Sequence, residues 1–170
     1  MEEKRLKATG GVPRCARAVV SLGSNLEPRR DYLRRALSAL SALPGTRLAK
    51  ASSIIETEPV DVPLEFAEMK FLNQVAVFET TLGAFDFSRR MHAVEDALGR
   101  VRTVRNGPRT IDIDLVDFDG LTVDTPELTL PHPRALMREF VLGPMRELGL
   151  VPEAGKTRIC SRSLNTASRH

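Results

Sequence analysis

From Arg100 to Leu115 the chain reads Arg-Val-Arg-Thr-Val-Arg-Asn-Gly-Pro-Arg-Thr-Ile-Asp-Ile-Asp-Leu, and its second half admits few structures. Ile111, Ile113 and Leu115 alternate with Asp112 and Asp114. In an extended strand that period puts the apolar side chains on one face and both carboxylates on the other, about 7 Å apart. Such a strand belongs in a sheet with one face on a core and one face wet, the usual antiparallel arrangement. Upstream, Arg100, Arg102, Arg105 and Arg109 have no acidic residue among them between Asp96 and Asp112. The Asp-x-Asp pair alone fits an ordinary wet strand, and the arginines alone fit a solvated loop. Side by side across a Gly-Pro turn, they suit a hard divalent cation and the phosphate oxygens it bridges.

The rest of the chain supplies partners for that strand. Ala18 to Leu22 is a β-rich run ending at Gly23-Ser24-Asn25, and Pro28 to Leu43 follows with apolar residues at helical spacing. Pro44-Gly45 stops that helix. Arg47 to Thr57 alternates as a long strand, Glu58 to Lys70 is a Pro-containing loop, and Leu72 to Thr80 is a strand that pairs back across it. Asp86 to Gly99 is a second helix with Phe87, Met91, Val94 and Leu98 on one side. The Asp-x-Asp strand ends at Asp119-Gly120, a hairpin signal before Leu121 to Val123. Pro131 to Met137 is an irregular or short helical piece, and Phe140 to Leu148 is a last helix. The order βαββαβ predicts an α+β domain with a ferredoxin-like core, an antiparallel sheet with helices packed on one face, and a C-terminal hairpin and helix beyond it.

The chain has 170 residues, 42% of them hydrophobic, enough for one core and one domain. No apolar run approaches the roughly 20 residues that span a bilayer, and Met1 to Pro13 lacks a secretory leader's apolar stretch, which predicts a cytoplasmic protein. Cys15 and Cys160 lack metal-ligand spacing and are expected to be thiols. The formal charge is +3. Residues 1–17 carry five basic and two acidic side chains and residues 153–170 carry four and one, which leaves 18–152 with sixteen against nineteen. Both ends read as flexible basic extensions of a domain spanning 18–152. With its basic charge gathered in one loop, that domain suits a small anionic ligand and not nucleic acid or a membrane surface.

Six segments in order, Ser21-Leu-Gly-Ser-Asn-Leu, Glu56-Thr-Glu-Pro-Val, Phe71-Leu-Asn, Glu95 with Gly99-Arg-Val-Arg, Gly107-Pro-Arg-Thr-Ile-Asp-Ile-Asp, and Leu130-Pro-His-Pro with Arg138-Glu-Phe, resemble the 6-hydroxymethyl-7,8-dihydropterin pyrophosphokinases over about Val19 to Pro152. The resemblance implies a ferredoxin-like fold and transfer of pyrophosphate from ATP to a pterin alcohol, giving AMP and the pterin diphosphate in folate biosynthesis. By motif position it implies two Mg²⁺ ions on Asp112 and Asp114, with Asp114 also helping to deprotonate the pterin hydroxyl. It places Glu95, Arg100, Arg109, Leu115, Thr129, His132 and Arg138 around ATP, with Arg100, Arg109 and His132 also acting in catalysis, and the loop from Arg100 to Arg109 as a closing lid. Phe71 and Phe140 would sandwich the pterin, Asn73 would read its edge, and Thr57, Glu58 and Val60 would add backbone contacts.

The chain departs from the family's habit at three places: Asn106 stands where an aromatic residue is common, His92 replaces a commoner amide, and Asp61-Val-Pro stands where a glycine often occurs. Arg102 and Arg105 fit phosphate contact and solvated surface equally. The implied partners are the two small substrates, with the protein acting as a monomer. Two other functions compete. A two-metal nucleotidyltransferase could use the same acidic pair, with pyrophosphate as its product. A ferredoxin-like RNA-binding module ranks lower, because the chain has no Trp, one Tyr and no aromatic RNA-stacking strand motif.

Overall fold

The computed structural model describes residues 14–101 and 107–150. Its elements are β1 (Ala16–Ser24), α1 (Arg29–Ser41), β2 (Thr46–Ala51), β3 (Ile55–Thr57), β4 (Phe71–Thr80), α2 (Ala84–Ala97), β5 (Asp112–Phe118), β6 (Val123–Asp124), β7 (Thr129–Leu130) and α3 (Glu139–Glu147), with short 3-10 turns at Leu64–Phe66 and Ala135–Met137. The main sheet runs β2-β4-β1-β5, all neighbours antiparallel, and β3 continues along β4 beyond β2. Taken together, β2 and β3 are one interrupted strand, and the order is that of two interleaved split βαβ units, the ferredoxin-like α+β arrangement expected.

Alternation decides what each face carries. Ala18, Val20 and Leu22 of β1, Leu72, Ala76 and Phe78 of β4, and Ile113 and Leu115 of β5 enter one core with Leu33, Ala36 and Leu40 of α1 and Phe87, Met91 and Val94 of α2. The opposite face is divided along its length. At one end Val19, Val75 and Val116 are covered by Ala135, Val141 and Met145, so α3 packs on the face that α1 and α2 leave open. At the other end the same face presents Ser21, Gly23, Phe71, Asn73, Asp112 and Asp114 to a cleft. One sheet face thus changes from apolar and covered to polar and open within about two residues of each strand.

Three local features differ from expectation. The long strand over 47–57 is broken at 52–54, where the Ser52 N–H donates to Val75 O at 2.9 Å but the Val75 N–H donates to the Ser52 hydroxyl, at 3.0 Å, in place of its carbonyl. Asp119 and Gly120 do turn the chain with positive φ of 52° and 72°, but β6 pairs with β7 and not with β5. The β1–β5 register also slips: Val20 faces Leu115 and Val19 faces Asp117, leaving Val116 as a bulge. The stop after α1 is steric as well as conformational. Gly45 has φ +63°, and a Cβ there would lie 2.0 Å from the Thr81 hydroxyl. Among the described residues no helix is long and apolar enough to cross a membrane. The expected basic extensions lie mostly outside the described residues, and β1 already begins at Ala16.

Candidate active site

The cleft holds about 610 Å³, its open mouth included, between the sheet and the 58–70 loop. Ser21, Gly23, Thr57, Glu58, Val60, Phe71, Asn73, Arg109, Asp112, Asp114, Arg138 and Phe140 line it. All six residues expected around the pterin are on that wall, together with both aspartates and two of the arginines.

Asp112 and Asp114 project from one face of β5, as the period required. Asp112 is held by two guanidinium groups: Arg100 Nη1 lies 2.7 Å from its Oδ1 and Arg109 Nη1 lies 2.6 Å from its Oδ2. Asp114 faces the cleft with 39% of its side chain exposed, and among the described residues its nearest basic group is His132 Nε2 at 3.9 Å. Burial raises the Asp114 carboxyl most, the charges of Asp112 and Glu95 add to that, and Arg100 and Arg138 oppose it, which leaves it pushed up to about 6. Among the described residues no three His, Cys, Asp or Glu side chains converge as a metal cage. Two hard oxygen donors on one strand, the rest to come from phosphate and water, form the donor set Mg²⁺ favours.

Behind Asp112 lies Glu95, 1% exposed on α2. Its Oε1 accepts the backbone N–H of Ile113, the residue between the two aspartates, at 2.6 Å, and also takes Arg100. His92, half-exposed, reaches its Oε2 at 3.2 Å. Glu95 therefore ties α2, β5 and Arg100 together, and its carboxylate faces these groups instead of the cleft. His132 Nδ1 accepts the backbone N–H groups of Arg134 and Ala135 at 3.3 and 3.1 Å. With Nδ1 an acceptor, the ring proton sits on Nε2, aimed toward Asp114. Burial lowers the His132 pKa, and the charges of Arg138 and Arg134 add to the effect, which favours a neutral imidazole whose Nε2 faces Asp114.

Phe71 and Phe140 each carry an arginine over the ring, Arg109 at 5.7 Å and Arg138 at 5.5 Å. The basic and aromatic halves of the cleft are thus in direct contact. Asn73, 4% exposed, donates from Nδ2 to the Thr57 hydroxyl at 2.7 Å. On its other side a Cβ on Gly23 would approach Asn73 Oδ1 to 3.0 Å.

Of the other expected residues, the Leu115 side chain is buried in the α1/α2 core and Thr129 pairs with Asp124 in the β6–β7 ribbon, so neither side chain lines the cleft. Arg100 borders the cleft through Asp112. Arg102, Arg105 and Asn106 lie outside the described residues.

Sequence reading passed over Ser21 and Gly23 as wall residues, although both lie in the first motif and alternate with the core residues Val20 and Leu22. It also missed Asn25, which is buried, gives its backbone N–H to Arg109 O at 3.3 Å and receives the Arg109 N–H on Oδ1 at 2.8 Å. No periodicity announces a side chain that braces a loop 84 positions away.

Fold and cleft together define an α+β enzyme of the phosphoryl-transfer type. The chain belongs to the 7,8-dihydro-6-hydroxymethylpterin-pyrophosphokinase family, whose model matches residues 19–150. It is 39% identical over 131 residues to the 2-amino-4-hydroxy-6-hydroxymethyldihydropteridine pyrophosphokinase of Bacillus subtilis, covering 77% of each chain. Against the Pseudomonas aeruginosa protein of the same description it is 39% identical over 132 residues, 78% of this chain and 80% of that one. Among solved structures it resembles an HPPK-DHPS crystallised in complex with substrates, with a TM-score of 0.60 at 12% identity. A likeness at that identity concerns the fold, and the match spans 79% of this chain and 40% of the solved one.

Proposed function

We propose that the protein transfers the β,γ-pyrophosphoryl group of ATP to the hydroxymethyl oxygen of 6-hydroxymethyl-7,8-dihydropterin in folate biosynthesis, as befits its family. The new bond joins that oxygen to the β-phosphorus, the bond from the β-phosphorus to the oxygen retained by the α-phosphate breaks, and AMP leaves with its electron pair. The observation that carries this reading is the single cleft in which two aromatic rings and a buried amide meet an acidic pair and two arginines.

Phe71 and Phe140 supply faces for a flat ring, and Asn73, with one amide N–H held by Thr57, offers its remaining donor and acceptor to the ring's edge. Asp112 and Asp114 would hold Mg²⁺. Bound there, Mg²⁺ would supply neutralisation of the charge that develops during the transfer. Polyphosphate competes with Asp112 for Arg100 and Arg109, so those guanidiniums can pass from carboxylate to phosphate without leaving either charge unpaired. Asp114 receives the hydroxyl proton, a role suited to a carboxyl pushed up to about 6. His132 Nε2–H and Arg138 donate to phosphate oxygens. Glu95 acts indirectly, by fixing Ile113 and Arg100.

The test is the nucleotide product. Mixed with ATP, Mg²⁺ and 6-hydroxymethyl-7,8-dihydropterin, the protein should form AMP only when the pterin is present, without ADP or free pyrophosphate. Pyrophosphate release would move the assignment to nucleotidyl transfer. A folded, ATP-binding protein that forms no pterin-dependent AMP would refute the acceptor.

A further inference from the structure

Arg29 opens α1 and belongs to none of the motifs above. Its Nε donates to Glu27 Oε1 at 2.7 Å, while its Nη1 donates both to Glu56 Oε2 at 3.0 Å and to the backbone carbonyl of Lys70 at 3.1 Å. Glu56 lies in β3, one residue before the cleft residue Thr57, and Lys70 immediately precedes Phe71. One guanidinium nitrogen therefore grips the chain where it leaves the sheet and again where it returns. The segment between contributes Thr57, Glu58 and Val60 to the cleft, and Lys70 Nζ also meets Glu58 at 2.8 Å.

Pairing of Thr57 with Phe71 already closes the base of this loop. It does so with a three-residue strand at the sheet's rim, which gives little resistance to sideways movement. Anchorage to α1 supplies that resistance, because a planar guanidinium holding a carboxylate and a carbonyl fixes direction as well as distance. The consequence reaches the amide: Thr57 Oγ1 accepts a hydrogen bond from Asn73 Nδ2, so a shift at Glu56 becomes a shift of the group facing the acceptor. We propose that Arg29 is a positioning residue for the pterin half of the site, holding the 58–70 loop so that Thr57, Asn73 and Phe71 keep one geometry. The proposal rests on the assignment of that half of the cleft to the pterin.

The experiment compares the full-length protein with Arg29→Ala, Arg29→Lys and Glu56→Gln, measuring KM for pterin, KM for ATP, kcat, and amide hydrogen exchange across 58–70. Arg29→Ala should raise the pterin KM about fivefold to tenfold, as loss of a charge-assisted bridge does. The ATP KM and kcat should stay within about twofold, since uniform binding of one substrate is what is lost. Loop amides should exchange faster. Arg29→Lys should recover little, because one ammonium cannot hold all three partners. Glu56→Gln should raise the pterin KM in the same direction, and adding it to Arg29→Ala should cost less than the two single effects combined.

A folded Arg29→Ala with wild-type pterin KM overturns the proposal, even if exchange quickens, and so does an equal rise in the KM for ATP. Should Arg29→Ala fail to fold, Glu56→Gln carries the decision, and an unchanged pterin KM there is the refuting result. If wild-type protein forms no pterin-dependent AMP, the proposed function falls. The clamp is then judged on exchange alone, where unchanged protection in Arg29→Ala overturns it.

Discussion

At the scale of single residues, the site works by controlling which charges face each other. Among the described residues Asp112 is paired with Arg100 and Arg109 while Asp114 meets only His132 at 3.9 Å, so two carboxylates from one strand occupy different electrostatic environments. Asp112→Ala and Asp114→Ala should each lower kcat/KM by about a thousandfold or more, the scale expected when a metal-holding group is lost, in proteins whose thermal melts stay cooperative. Near-normal rates at saturating Mg²⁺ would remove the metal assignment. Gly23→Ala should act on the other substrate. A methyl 3.0 Å from Asn73 Oδ1 forces the amide to move, so the pterin KM should rise about tenfold with little change in the KM for ATP. A pterin KM equal to wild type would show that the amide is free to yield. Sequence alone exposed the aspartates, because alternation with Ile111, Ile113 and Leu115 places them. It could not expose the demand at Gly23, since a glycine two positions before Asn25 carries no sign of what its missing side chain would touch.

At the scale of elements, β5 shows what a bulge does to a period-two reading. From Asp112 to Leu115 the alternation holds; unbroken, it would put Phe118 with the aspartates and Asp117 in the α1/α2 core. The bulge at Val116 reverses this: Phe118 enters that core beside Phe87, and Asp117 faces Val19. Asp117 is 4% exposed, its Oδ1 has no hydrogen-bond partner among the described residues, and Arg17 lies 3.9 Å from Oδ2. Burial raises its pKa, against the Gly120 N–H and Arg17. A carboxyl raised on folding costs nothing below its unfolded pKa, and its penalty develops as pH rises through the folded value. Asp117→Asn should therefore raise the melting temperature at neutral pH by about 2–4 °C, with the gain vanishing in acid. A variant less stable at pH 7 would mean that the pair with Arg17 outweighs the burial. The split of β2 from β3 was equally invisible in sequence, since Ser52 reads as strand until Gln74 Nε2 is seen to take its carbonyl at 2.7 Å and Val75 to take its hydroxyl.

At the scale of the whole molecule, the active face exists because one sheet is covered unequally. Helices α1 and α2 cover one side over β1, β4 and β5, whereas α3 covers only the Val19, Val75 and Val116 end of the other. Binding there should stabilise the whole domain. Saturating Mg²⁺ and a non-hydrolysable ATP analogue should raise the melting temperature by several degrees at pH 7.5. The gain should shrink at pH 5.5, because protonation of Asp114, pushed up to about 6, competes with the cation. A pH-independent gain would separate Asp114 from metal binding. The sequence by itself determined the α+β class, the two helices and the acidic strand, because period, turn chemistry and charge act between near neighbours in the chain, whereas the pterin-side residues of the cleft were reached through the family resemblance. Only the tertiary structure decided which end of the wet face α3 leaves open, where β5 bulges, that Asn25 braces Arg109 and that Arg29 grips both ends of the 58–70 loop. Those contacts join residues far apart in sequence, and their energies depend on distances that no local pattern encodes.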